Sequence, residues 1–267
     1  MKTFKQYMLM MALTVFTVTA SVSQNQEYKV PLSNPGQPGK LIVKVHKGFI
    51  KVKGYTGKEV IVSVVPGDDD NNDEGPSKQG LRRVANTAAP FEIVEEDNEV
   101  RIQGTGNSYI NFEIKVPNKF SLQLNAHHEG YIEVSDVTGE LEVDGHHEDI
   151  VLNNIGGSVV ADTHHGNITA TFTSVTPDVP MAFSTYHGDI EITFPSNTNG
   201  SVKVKTTKGD IYTDFEMDLK AEVAQVKTAS SKGTKIEVGG WLKGNLGSGG
   251  SEFLFSTYHG DIIIRKK

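Results

Sequence analysis

The octapeptide Phe183-Ser184-Thr185-Tyr186-His187-Gly188-Asp189-Ile190 returns unchanged as Phe255-Ser256-Thr257-Tyr258-His259-Gly260-Asp261-Ile262. Shorter copies surround it: Val45-His46-Lys47-Gly48-Phe49-Ile50, His128-Glu129-Gly130-Tyr131-Ile132, His147-Glu148-Asp149-Ile150, His165-Gly166-Asn167-Ile168 and Lys208-Gly209-Asp210-Ile211. Apolar and polar residues alternate around these copies, the two-residue period of a strand with one buried face. The unit reads strand, tight Gly-Asp or Gly-Asn turn, strand. Across the turn the apolar set changes parity, from odd Phe183 to even Ile190, Ile192 and Phe194, so the corner must absorb one residue. Glycine does this by reaching positive φ without a Cβ clash, and the adjacent Asp or Asn can bond the backbone.

Measured at the isoleucine after the turn, the copies ending at 132, 150, 168, 190 and 211 are separated by 18, 18, 22 and 21 residues. Such near-constant spacing predicts an all-β solenoid, a β-helix-like stack of coils whose strands pair in parallel about 4.8 Å apart. The alternative is an antiparallel β-sandwich or meander, in which the same turns close hairpins. Strand patterns such as Leu41-Ile42-Val43-Lys44-Val45 and Ser121-Leu122-Gln123-Leu124 fill the rest. The segment from Met217 to Val226 fits either a short helix or a strand. Ile262-Ile263-Ile264 is expected as a final strand, with Arg265-Lys266-Lys267 discouraging edge-to-edge pairing.

Lys2 and Lys5, an apolar run from Met8 to Ala20, and the small residues Ser21 and Ser23 predict a signal peptide over 1–23. The mature chain then divides into a less regular β region, 24–118, continuous with a repetitive solenoid region, 119–267. Within the former, 66–90 carries Asp68-Asp69-Asp70-Asn71-Asn72-Asp73-Glu74 and reads as an acidic mobile loop. Its alternate acids faintly match a calcium loop, but the sixth and twelfth positions hold Asp73 and Gln79 instead of glycine and glutamate.

The chain has no cysteine, which excludes disulfides, thiolate catalysis and cysteine-ligated metals. No downstream apolar run is long enough for a membrane span, so the reading is an exported protein of periplasm, cell surface or exterior. A net charge of −7 makes nucleic acid a poor partner.

The stretch Phe112-Glu113-Ile114-Lys115-Val116-Pro117 followed by Ser121-Leu122-Gln123-Leu124, the recurring Gly-Asp-Ile turns, and the ending Gly249–Ile262 resemble a bacterial family of candidate-adhesin β-strand-repeat proteins, related to auto-transporter adhesin head domains. The resemblance covers roughly residues 40 to 267. It implies a right-handed β-solenoid-like fold on exported proteins, and brings no catalytic residues with it. The histidine doublets depart from the small polar residues expected at such turns.

All nine histidines (46, 127, 128, 146, 147, 164, 165, 187 and 259) fall in the repeat turns. Stacked coils would align His147, His165 and His187 and set His146 and His164 beside them, a histidine ladder for transition metals or protons. The plainer reading is a turn residue copied by duplication, since Lys47 and Lys208 occupy the same slot. Tyr131, Tyr186, Trp241 and Tyr258 form a candidate ligand-contact stripe for a carbohydrate, the plainer reading being aromatic packing between coils. His128-Glu129 and His147-Glu148 begin like a zinc-protease motif, but Ile132 and Val151 stand where its second histidine belongs and no helix carries it. Gly244–Gly250 lacks a phosphate loop's Gly-Lys-Ser/Thr ending, and no nucleophile elbow occurs.

The expectation is therefore a non-enzymatic scaffold, without cofactor, that presents a stacked face to a surface, glycan or protein partner. Its alternatives are a polysaccharide-active β-helix enzyme and metal capture by the ladder.

Overall fold

The computed structural model describes residues 26–65, 91–104, 109–128, 130–222, 225–230, 233–238 and 240–267. The signal peptide expected over 1–23 and the acidic loop over 66–90 lie outside them. Two large sheets, of 10 and 11 strands, face one another, and each coil of the chain gives one strand to each sheet. Among the described residues eight coils stack in parallel. In stack order the first is Glu99–Gly104 with Asn111–Pro117, and the second is Lys40–Lys47 with Ile50–Tyr55. The third is Ser121–His128 with Tyr131–Ser135, the fourth Leu141–Gly145 with Asp149–Ile155, the fifth Val159–Thr163 with Ile168–Phe172, and the sixth Met181–His187 with Ile190–Phe194. The seventh is Glu252–His259 with Ile262–Lys266, and the eighth is Gly200–Lys208 with Ile211–Thr213. The all-β solenoid holds, and among the described residues antiparallel pairing is confined to the strands that flank the two ends and to a separate two-stranded sheet of Gln225–Ser230 with Gly233–Val238.

Stack order departs from chain order at both ends. The first-written coil, 40–55, lies between the coils ending at Pro117 and Ser135. The last-written coil lies between the sixth and the eighth, so that Ile190 pairs with Ile262 and Ile262 with Ile211. The 21-residue step from Ile190 to Ile211 therefore skips a coil. The identical octapeptides are direct neighbours: Phe183 stacks on Phe255 at 5.4 Å and Tyr186 on Tyr258 at 4.9 Å. The strand at Ile262–Lys266 is consequently interior and not an edge.

Inward positions of both sheets form one core, with Phe112, Phe120, Phe172, Phe183, Phe194, Phe253 and Phe255 fully buried. The parity change at each corner is visible in the burial: Phe183 and Thr185 point inward before the turn, Ile190 and Ile192 after it. Corner threonines hold the coils together. Thr163, Thr185, Thr257 and Thr206 donate to the carbonyl oxygens of Glu148, Gly166, Gly188 and Gly260, each on the neighbouring coil. The turn acids do likewise, since the backbone N–H groups of Asn167, Asp189, Asp261 and Asp210 donate at 2.7 to 2.8 Å to the side chains of Asp149, Asn167, Asp189 and Asp261. Each Asp or Asn thus bonds the next coil's backbone and not its own turn.

Over the described residues of Met217 to Val226 no helix forms. Lys220–Glu222 is a short strand antiparallel to Trp241–Leu246, where Glu222 pairs with Lys243, and Gln225–Ser230 pairs with Gly233–Val238. A sheet edge needing partners overrides the segment's weak helical pattern. Among the described residues no helix is long and apolar enough to cross a membrane.

Candidate functional site

The corner that joins the two sheets presents two residues per coil just before the turn, and stacking turns these pairs into two parallel files. One file runs His46, His127, His146, His164, Tyr186, Tyr258. The other runs His128, His147, His165, His187, His259, with Lys47 and Lys208 in register at its two ends. In the first file the rings of His127, His146, His164 and Tyr186 follow at 5.1, 5.3 and 5.1 Å, with tilts of 18°, 9° and 13°. In the second, His147, His165 and His187 follow at 5.0 and 4.9 Å with tilts of 2° and 6°. Between files the rings meet edge to face, at 4.4 Å for His146 and His147 and 4.3 Å for His164 and His165. All nine histidines and two tyrosines make one ribbon. The five histidines singled out from spacing, His146, His147, His164, His165 and His187, are its centre.

Beneath the ribbon Glu148 stands where other corners have glycine and is fully buried. The exchange is coupled: Gly145 replaces the corner threonine, and the Glu148 carboxylate folds toward the ribbon turn, where Oε2 accepts the backbone N–H groups of His146 and His147 at 2.6 and 2.8 Å. Glu148 Oε1 and His146 Nδ1 are buried without a hydrogen-bond partner. In the sequence Glu148 stands out only as part of a repeat copy and of a rejected protease motif; the signal for its role is the paired loss of threonine at 145 and glycine at 148.

Burial is the main influence holding His146, His165 and His259 below the ordinary imidazole range, with neighbouring histidines adding to it, and Lys208 adding at His259. Asp144 lies two residues before His146 and on the strand beside that of His127, and both histidines act on it. Burial, and Asp162 beside it, push its carboxyl upward. For a histidine depressed on folding, the unfolded chain binds more protons, so stability is full above about pH 6.5 and declines as pH falls through the unfolded value toward the folded one. Asp144 acts oppositely at lower pH. In EDTA, the melting temperature should fall between pH 8 and pH 5.5, and less so in a variant carrying His146→Ser and His165→Ser. Equal pH slopes in the two proteins would refute this.

Three of the four aromatics expected from sequence to form a contact stripe come together. Tyr186, Trp241 and Tyr258 line a groove of about 320 Å³ beside the first file, with His164, Asp162, Lys205, Thr207 and the hydroxyls of Ser184 and Ser256. Tyr131 is elsewhere, stacked on Phe49 at 5.0 Å. Tyr186 has both faces covered, by His164 and by Tyr258, so it offers the groove an edge and a hydroxyl and no stacking face. Tyr258 has Tyr186 on one face and the eighth coil on the other, so stacking falls to Trp241. Lys203 and Lys205 lie 4.9 and 5.7 Å from the Trp241 ring and Lys208 lies 5.8 Å from that of Tyr258. The groove was unreadable from sequence because it needs the seventh coil seated between the sixth and eighth, and Trp241 on the strand that flanks the eighth.

A larger groove, of about 760 Å³, crosses the far ends of the same sheet. It carries Asp97, Glu99, Glu140 and Glu142 and no aromatic ring. The profile of one protein family, Toastrack DUF4097, matches residues 5–239. The chain belongs to the Toastrack DUF4097 family. A Toastrack fold is solenoid-like with open sheets, as the coil stack here is. No functionally curated protein matches the chain. Among solved structures, a candidate cell adhesion protein from Clostridium sporogenes is 12% identical with a TM-score of 0.43, covering 91% of this Toastrack chain and 100% of its own. A candidate adhesin from Bacteroides fragilis is 11% identical with a TM-score of 0.32, covering 92% of this chain and 98% of its own.

Proposed function

We propose that this Toastrack chain is an exported, non-enzymatic scaffold that binds a glycan in the groove of Tyr186, Trp241 and Tyr258. The observation that carries the reading is the groove's composition. The rings of Tyr186, Trp241 and Tyr258 stand beside serine and threonine hydroxyls, Asp162 and Lys205, the combination that grips a sugar through its apolar face and hydroxyl edge together. Export rests on the leader expected over 1–23. The solenoid region, 119–267, supplies the groove, and the region 24–118 closes the other end of the stack.

In the competing reading, a polysaccharide-active enzyme, the glycosidase branch needs two carboxylates flanking a scissile bond. Among the described residues Asp162 is the one carboxylate lining the aromatic groove, which favours holding a glycan over hydrolysing it. A polysaccharide-active centre would have to be built from Asp97, Glu99, Glu140 and Glu142, where no aromatic platform exists.

A glycan array probed with the mature protein tests the proposal. Trp241→Ala and Tyr258→Ala should each weaken the best ligand at least tenfold, the factor that about 1.4 kcal/mol represents. Tyr131→Ala, outside the groove, should leave binding unchanged. Uniform silence across the array, or equal losses in all three variants, would remove the proposal, and release of reducing ends from any bound glycan would replace it with the enzyme reading.

A further inference from the structure

The ribbon offers a second chemistry that does not depend on glycan binding. Imidazole nitrogen is a preferred donor for copper, nickel and zinc. A metal 2.0–2.1 Å from each of two nitrogens holds them at most about 4.2 Å apart. From His147 to His259 neighbouring rings in the second file sit 4.6 to 5.0 Å apart, centroid to centroid, against 5.9 Å between His128 and His147. A tilt of two adjacent imidazoles toward one another therefore brings a nitrogen of each onto one ion, with no movement of the backbone. Among the described residues no three His, Asp or Glu side chains already converge as a cage, so each ion takes two imidazoles and completes its shell with water.

A second observation places the strongest site at the fourth coil. His146 Nδ1 and Glu148 Oε1 are both buried and unpartnered in one turn, and His147 stands 4.4 Å from His146, edge to face. A carboxylate oxygen and an imidazole nitrogen without donors are what a cation satisfies. Burying Glu148 at a corner that elsewhere takes glycine is otherwise a cost, since a buried carboxylate needs its oxygens paired.

We propose that the histidine ribbon takes up divalent transition-metal ions, Cu²⁺, Ni²⁺ or Zn²⁺, each between two imidazoles, of neighbouring coils along a file or of a single turn, with the pair His146 and His147, beside the Glu148 carboxylate, filling first. Nine imidazoles taken two at a time hold at most four ions. Coordination by rings that already stack stiffens the corner along the file and ties consecutive coils together.

Calorimetric titration of tag-free, metal-stripped protein with each ion at pH 7.5 tests this. The expected result is micromolar uptake of more than one ion, strongest for Cu²⁺. The triple variant His147→Ser, His165→Ser, His187→Ser should lose most of the stoichiometry, and Glu148→Gln should weaken the first site selectively. Asp189→Asn with Asp261→Asn, which copies the Asn167 of a natural coil, should bind as the parent does. Should the histidine variants fail to fold, electron paramagnetic resonance of Cu²⁺ on the unaltered protein still decides, through hyperfine splitting from two nitrogens. No uptake at hundred-micromolar metal, oxygen-only coordination, or loss of binding in the aspartate variant would each overturn the proposal.

Discussion

Removing residues 252–267 is expected to unfold the C-terminal half of the stack and not merely to shorten it. In a linear solenoid the last-written coil is an end cap, and its loss costs one interface. Here that coil is interior, paired in parallel on both sides in both sheets. Phe253, Phe255, Ile262 and Ile264 are almost wholly buried. At roughly 1.5–3 kcal/mol for each such side chain, the coil contributes on the order of 6–12 kcal/mol, comparable with the whole stability of an ordinary domain. Truncation also strips Phe183 and Phe194 of their stacking partners and leaves Ile211–Thr213 with no strand beside it among those described. Phe255→Ala alone should cost about 3–5 kcal/mol. Denaturant unfolding checks both. A truncated chain that unfolds at the parent's midpoint would mean that the eighth coil closes directly onto the sixth.

The corner glycines give the second large effect. A Cβ on Gly188, where φ is +157°, would lie 2.1 Å from the carbonyl oxygen of Gly166 on the neighbouring coil. Backbone on both sides cannot swing away as a side-chain tip would, so alanine must force two coils apart against their shared hydrogen bonds. Gly188→Ala is expected to cost about 3 kcal/mol or more. Gly36 is the control: its φ is +86° and nothing lies within 4 Å of the added carbon, so alanine there meets only the conformational penalty, about 1 kcal/mol. Equal losses in the two variants would show that conformational preference, and not coil spacing, puts glycine at the corners.

The alternation about Phe183 and Ile190, and the glycine between them, made coil and corner legible before any coordinates, and the alignment of His147, His165 and His187 followed from equal spacing. Neighbourhood was not legible from spacing, because a step of 21 residues looks the same whether the next copy lies on the adjacent coil or one beyond. The clue lay in identity: two octapeptides that match at every position stack phenylalanine on phenylalanine and tyrosine on tyrosine, a pairing the divergent copy at Lys208, with Val204 and Thr207 in those places, cannot offer. The groove stayed hidden for the same reason, since Lys205, Trp241 and Tyr258 meet only in that unexpected order. Met217 to Val226 was ambiguous because its strand character comes from the edge it covers. At Glu148 the burial of a carboxylate depends on the space that Gly145 vacates across the turn, a relation no local pattern displays.

Trp241 is the protein's single tryptophan, so its fluorescence reports on the proposed glycan groove alone. Titrating the mature protein with a defined set of neutral and uronic-acid oligosaccharides should give, for at least one class, a saturable change in emission that Tyr258→Ala abolishes while far-ultraviolet circular dichroism stays unchanged. Emission that ignores every oligosaccharide up to millimolar concentration, or a response that survives Tyr258→Ala intact, would contradict glycan binding at this groove.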